Sequence, residues 1–172
     1  MTINIGWKNC VLILCVLAHW CITAQAQASD AEKPNIIFIF ADDWGYGDLS
    51  CHGSSFCQTP HLDRMASEGI DFQNFIVNSP VCSPSRVAVM TGQFPARHCV
   101  HQHFQSVKAH IKRGMPDWLD PQAPMLPRLL QEAGYKTGHF GKWHLGSVSD
   151  SPTEDAYGYD SFATFNGSGK NE

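Results

Sequence analysis

Asn35-Ile36-Ile37-Phe38-Ile39-Phe40-Ala41 runs straight into Asp42-Asp43 and then into Gly45-Tyr46-Gly47-Asp48. The run is apolar on both faces and closes on two carboxylates and a glycine-rich turn. It reads as a strand in the middle of a parallel sheet, since only a sheet covered on both sides favours an unbroken apolar pattern. Downstream, Thr59-Pro60 opens a predicted helix over 61–68, with Leu62, Met65 and Ala66 on one side and Gly69 as its stop. Residues 70–77 read as a second strand. Pro84 suits the first turn of a helix that carries Val87, Ala88, Val89 and Met90 to Thr91-Gly92. Residues 94–123 are rich in His, Lys, Gln and Pro with weak periodicity, which predicts mostly loop with a short helix. A helix over 125–133 is stopped by Gly134. A short strand over 135–140 then delivers Gly141-Lys142-Trp143-His144 into a loop. The alternation predicts an α/β fold, a mostly parallel sheet flanked by helices, with functional residues beyond the carboxyl ends of the strands. No further strand is predicted in the polar, glycine-rich tail 147–172, and there is no internal repeat.

The chain has 172 residues, 43% hydrophobic and 16% charged, which is a globular composition. A formal charge of -4 with dispersed basic residues excludes the footprint of a nucleic-acid or anionic-membrane binder. Lys8, the apolar stretch 11–22 and the small residues Thr23-Ala24-Gln25-Ala26-Gln27-Ala28 predict a signal peptide over 1–28, cleaved after Ala26 or Ala28. The stretch is shorter than the roughly 20 apolar residues of a spanning helix and is broken by His19. The expectation is a secreted or periplasmic protein with no membrane attachment after cleavage. Cleavage removes Cys10, Cys15 and Cys21, leaving Cys51, Cys57, Cys82 and Cys99 where pairing is permitted. If Cys82 is consumed chemically, Cys51 with Cys57 is the short bridge expected of the remainder. No C-x-x-C is present, against a redox motif or zinc ribbon.

Two places can carry chemistry. Asp42-Asp43, at a strand end, offers convergent oxygen ligands to a hard cation, or is simply an acidic turn. Cys82 precedes a helix whose N-terminus supplies free N–H groups, with Arg86 one turn in. That setting suits an anion and an acidified thiol, although a structural cysteine beside a structural arginine fits as well. His98, His101 and His103 read as a polar loop near a substrate entrance, and His139 as packed in its strand. Asn166-Gly167-Ser168 is a glycosylation sequon.

Pro80-Val81-Cys82-Ser83-Pro84-Ser85-Arg86, continued through Val89-Met90-Thr91-Gly92, resembles the modification motif of the sulfatase family. Gly134-Tyr135-Lys136-Thr137 leading to Gly141-Lys142-Trp143-His144 resembles its second motif. Residues 34–48 are similar to its first metal-binding strand, and Thr59-Pro60-His61-Leu62-Asp63-Arg64-Met65-Ala66 to the segment that follows. The likeness covers 33–146, taken as the N-terminal part of a catalytic domain of alkaline phosphatase-like fold. It implies that a formylglycine-generating enzyme converts Cys82 to formylglycine during export. The hydrated aldehyde would attack sulfur through one hydroxyl and use the second to expel sulfate, dividing one displacement into two steps. The resemblance also implies a calcium ion held by Asp42, Asp43 and the formylglycine at Cys82. Arg86 would orient the diol, Lys142 would contact sulfate, and His144 would hydrogen-bond the formylglycine and take its proton. The implied substrate is a sulfated small molecule or sulfated polysaccharide. Absent from the match are the family's later Asp followed by Asn or His, a second histidine as leaving-group acid, and a second lysine. The chain therefore reads as a fragment or truncated product, expected to be inactive alone. The alternatives are a phosphate or phosphonate ester hydrolase of the same superfamily and a non-catalytic secreted remnant.

Overall fold

The computed structural model describes residues 33–166; the predicted leader, its three cysteines and the end of the tail lie outside the described residues. The described chain falls into two units, one ending at Phe40 and the other beginning at Ala41. Within the first, 33–40 form no strand, and Ile36, Ile37, Phe38 and Ile39 are exposed. The strand expected over 35–41 is therefore not formed. A β-strand exists only where its backbone groups pair with a neighbour, and an apolar run alone supplies no such partner.

The second unit holds helices α1 (Pro60–Glu68), α2 (Cys82–Thr91), α3 (Val107–Arg113) and α4 (Leu126–Glu132), and strands β1 (Gly138–Lys142) and β2 (Ser161–Phe165). The strands pair in parallel, Gly138 opposite Ser161 through Lys142 opposite Phe165. Two expectations need correction here. Residues 70–77 are not a strand but a turn, closed by the Phe75 N–H on the Phe72 carbonyl, with Phe72, Phe75, Ile76 and Val77 exposed. Conversely, β2 forms in the stretch read as a polar tail. Its register is set by Asp160, whose carboxylate accepts from the Thr137 N–H at 2.8 Å and the Thr137 hydroxyl at 3.1 Å.

Helix α1 forms as expected, with Pro60 in its first turn and the Gly69 N–H on the Met65 carbonyl. None of its residues is buried, so Leu62, Met65 and Ala66 are not core. It is held instead by a polar knot. Asp63 accepts from the Ser50 hydroxyl (2.6 Å), the Thr59 hydroxyl (2.8 Å) and the Cys51 N–H (3.1 Å). Cys51 and Cys57 are free thiols, as are Cys82 and Cys99, so the expected Cys51–Cys57 bridge is absent among the described residues. The Cys51 and Cys57 amides are anchored separately, on Asp63 and on the Ser54 hydroxyl.

The core lies elsewhere. Val87 and Met90 of α2 pack with Val100, Phe104, Met115, Leu119, Met125, Trp143, Leu145, Tyr157 and Tyr159. Helix α2 is buried nearly all round, Ser83, Pro84, Arg86, Ala88 and Thr91 included. It ends at Gly92, whose left-handed φ of 65° lets its N–H return to the Ala88 carbonyl. Trp143 meets Tyr157 and Tyr159 edge-on, and the Tyr157 hydroxyl donates to the Leu119 carbonyl at 2.7 Å. The core thus clamps α2 against the loop that leaves β1.

Candidate functional site

Asp42 begins the site. Its Oδ2 accepts from Arg86 Nη2 at 2.7 Å and its Oδ1 from Lys142 Nζ at 2.9 Å, while Arg86 Nη1 donates to the Lys142 carbonyl at 2.5 Å. Three segments far apart in sequence therefore meet on one carboxylate. The Arg86 side chain is 5% exposed and that of Lys142 17%, so the cluster is largely withdrawn from water. Burial opposes ionisation of Asp42 and is the largest single influence on it. The hydrogen bonds and charges of Arg86 and Lys142 together outweigh it and hold the carboxyl below its ordinary range.

Asp43 is next in the chain, at a positive φ of 55°. A non-glycine residue in that region is strained by about 1–2 kcal/mol. Asp42 and Asp43 both line a cleft of about 350 Å³ together with Trp44, Pro80, Cys82 and Ser85. Cys82 is the first residue of α2 and Val81 before it is extended, so the thiol sits at the helix mouth.

His144 also has a positive φ, 56°. Its N–H donates to the Asn166 side-chain oxygen at 3.0 Å, and its Nε2 lies 3.2 Å from the Phe104 carbonyl. His144 is 6% exposed, and its Nδ1 is buried with no hydrogen-bond partner among the described residues. Burial is the main cause that lowers the His144 pKa from its usual value. Phe104 also ties this side to α2, since its N–H donates to the Ser83 hydroxyl at 3.1 Å, one residue from Cys82.

All six sequence-derived positions thus fall into one connected arrangement. The histidine loop does not form a metal cluster: His98 bonds Gln93, His101 the Arg113 carbonyl, and His103 its neighbour Gln102. His139 packs against Trp143 and Tyr159, as expected. Sequence reading passed over Ser83, the Phe104 backbone and Asn166; a main-chain carbonyl leaves no signal in sequence, and Asn166 read only as a sequon.

A hard cation takes several oxygen ligands. Each carboxylate oxygen has two lone-pair directions, so the bonds to Arg86 and Lys142 leave Asp42 able to ligate, with Asp43 beside it. The described residues contain no group of three or more His, Cys, Asp or Glu placed to hold an ion. Asp42 and Asp43 carry the oxygen donors such a site uses, and with position 82 they line one cleft.

Comparison with known proteins follows the same lines. The sulfatase family model matches residues 34–171. The chain is 43% identical over 146 residues to N-acetylgalactosamine-6-sulfatase of Canis lupus familiaris, covering 82% of this chain and 26% of that protein. It is 42% identical over 121 residues to N-acetylgalactosamine-6-O-sulfatase of Bacteroides thetaiotaomicron, covering 70% and 22%. The chain thus spans about a quarter of the length of these curated relatives. Among solved structures, Ps i-CgsB in complex with k-i-k-neocarrahexaose superposes with a TM-score of 0.66 at 37% identity, over 81% of this chain and 30% of that one. Neighbours of this kind have the alkaline phosphatase-like α/β fold, of which β1, β2 and the helices here are a part.

Proposed function

This chain belongs to the sulfatase family, and on that premise we propose that it forms the nucleophile-bearing part of a sulfuric ester hydrolase acting on aryl or carbohydrate sulfates. The observation that carries the reading is the convergence of Asp42, Asp43 and Cys82 on one cleft, with Arg86 and Lys142 both held on Asp42. The names of the two N-acetylgalactosamine-6-sulfatase relatives support a carbohydrate sulfate as the substrate class.

A formylglycine formed from Cys82 would supply a nucleophile with a second hydroxyl for releasing sulfate, and a calcium ion would be held in part by Asp42, Asp43 and the modified position 82 and would supply charge neutralisation. The chain's own residues do the rest. Arg86 is fixed by the Lys142 carbonyl, so it orients the group at position 82. Lys142 carries the cation that meets a sulfate oxygen. His144, which burial keeps largely unprotonated near neutral pH, accepts the proton given up when sulfate leaves. The leader sequence supports export, where a formylglycine-generating enzyme acts on the linear Cys82-Ser83-Pro84-Ser85-Arg86 segment.

The test is turnover. The chain, joined to the C-terminal portion of a full-length relative and converted at Cys82, is assayed with an aryl sulfate, an aryl phosphate and a 6-O-sulfated amino sugar. Sulfate release abolished by Cys82→Ala is expected. Preference for phosphate would move the protein to the phosphoryl-hydrolase branch, and equal turnover by Cys82→Ala would remove the nucleophile assignment.

A further inference from the structure

Between α2 and the His144 loop lies a chain of hydrogen bonds that the proposed chemistry does not use. His110, on α3, is completely buried. Its Nδ1 is 2.6 Å from Asp117 Oδ1, and its Nε2 is 2.7 Å from the Gln105 nitrogen. A backbone N–H can only donate, so His110 Nε2 is the bare nitrogen and Nδ1 carries the proton shared with Asp117. The Phe104 ring stands edge-on to His110 at 5.6 Å and 89°, and Phe104 is itself 2% exposed.

The Gln105 N–H belongs to the same peptide unit as the Phe104 carbonyl. A peptide bond is planar, and in the trans form its C=O and N–H point in opposite directions. Holding the N–H on His110 therefore aims the C=O, and that C=O is the partner of His144 Nε2. A carbonyl only accepts, so His144 Nε2 carries the proton and the orphaned Nδ1 is its lone-pair nitrogen. The preceding amide is tied to Ser83 beside Cys82, and the Gln105 carbonyl accepts from the Ser147 hydroxyl. The unit is pinned on every side.

We infer that Asp117 and His110 are a positioning pair that locks the Phe104–Gln105 peptide, so that its carbonyl fixes His144 as the Nε2–H tautomer and leaves Nδ1 as the proton acceptor at the active site. The inference rests on the sulfatase reading for what Nδ1 serves, but the tautomer is a property of this chain alone. Without the lock both imidazole nitrogens would compete for the proton, and the fraction of molecules with a bare Nδ1 would fall.

Ring-nitrogen tautomers are read directly from long-range ¹H–¹⁵N correlation spectra of the ¹⁵N-labelled chain, with His144→Gln and His110→Gln used for assignment. The wild type is expected to show His144 protonated on Nε2 and His110 on Nδ1, each as a single form. Asp117 is a third exposed, so Asp117→Ala leaves little cavity. It should turn both histidines into tautomer mixtures, whereas Asp117→Asn, whose amide oxygen still accepts from Nδ1–H, should restore the wild-type pattern. A wild-type His144 protonated on Nδ1 overturns the proposal without any variant. So does an Asp117→Ala spectrum in which His110 changes and His144 does not. None of these readings uses turnover, so a failure of the sulfatase reading leaves them untouched and separately visible.

Discussion

Removing the Asp42 carboxylate should destabilise the unit that begins at Ala41 far more than loss of an ordinary surface acid. The Arg86 guanidinium is 5% exposed and loses its carboxylate partner once Asp42 is gone. Breaking a buried ion pair from one side costs about 3–5 kcal/mol. The Asp42 side chain is 23% exposed, so water can reach part of the vacated space, which places Asp42→Ala at the low end, about 3 kcal/mol. Lys142 is better hydrated and adds less than about 1 kcal/mol. Asp42→Asn keeps one acceptor oxygen and should cost about half as much, roughly 1.5 kcal/mol. Urea unfolding of the chain, metal-free, gives these values as shifts in midpoint at constant m. The double variant Asp42→Ala/Arg86→Met removes the stranded charge and should recover to within about 1 kcal/mol of wild type. An Asp42→Ala variant within about 0.5 kcal/mol of wild type, or a double variant less stable than the single one, would refute the reasoning.

Gly158 sits at φ 100°, and a Cβ there would lie 2.8 Å from the Arg128 nitrogen and 2.9 Å from its Cα. Gly158→Ala should therefore lower stability by at least about 1–2 kcal/mol in thermal unfolding. Tyr157→Phe strands the buried Leu119 carbonyl and should cost about 1–2 kcal/mol, read from the urea midpoint. Asp63 is held down to about 2, mainly by the Ser50 and Thr59 hydroxyls. Its folded pKa lies below the unfolded value of about 4, so its contribution is present above pH about 4 and is lost as pH falls through about 2. Asp63→Asn should accordingly flatten the acid limb of the stability curve in that window, and an unchanged limb would place the effect elsewhere.

Helices were legible where local signals decide them. Pro60 and Gly69 bracket α1, and Gly92 ends α2, because caps act within a turn of chain. Strands were legible only in part, because pairing is non-local: the strand expected over 135–140 forms as β1, Gly138–Lys142, but the others do not follow the sequence reading. The apolar runs at 35–41 and 70–77 announce a need for partners without supplying them. β2 hid in a polar segment, since its position is set by Asp160 on Thr137, 23 residues away. In the site, Asp42, Arg86 and Lys142 meet directly and Asp43 and Cys82 line the same cleft as Asp42, while His144 is joined to them through Phe104 and Ser83. The left-handed backbone at Asp43 and His144 and the Phe104 carbonyl were not legible, being consequences of the surrounding fold rather than of residue type.

The conversion of Cys82 to an aldehyde is the step on which the whole account turns, and one mass spectrum tests it. The chain is co-expressed with a formylglycine-generating enzyme and digested with trypsin, and the peptide 65–86, bounded by Arg64 and Arg86, is analysed with an aldehyde-reactive probe. Probe on position 82 is expected, with the thiol gone and no labelling in Cys82→Ala. Finding only thiol or disulfide at Cys82, in cells that convert a known sulfatase alongside it, would contradict it.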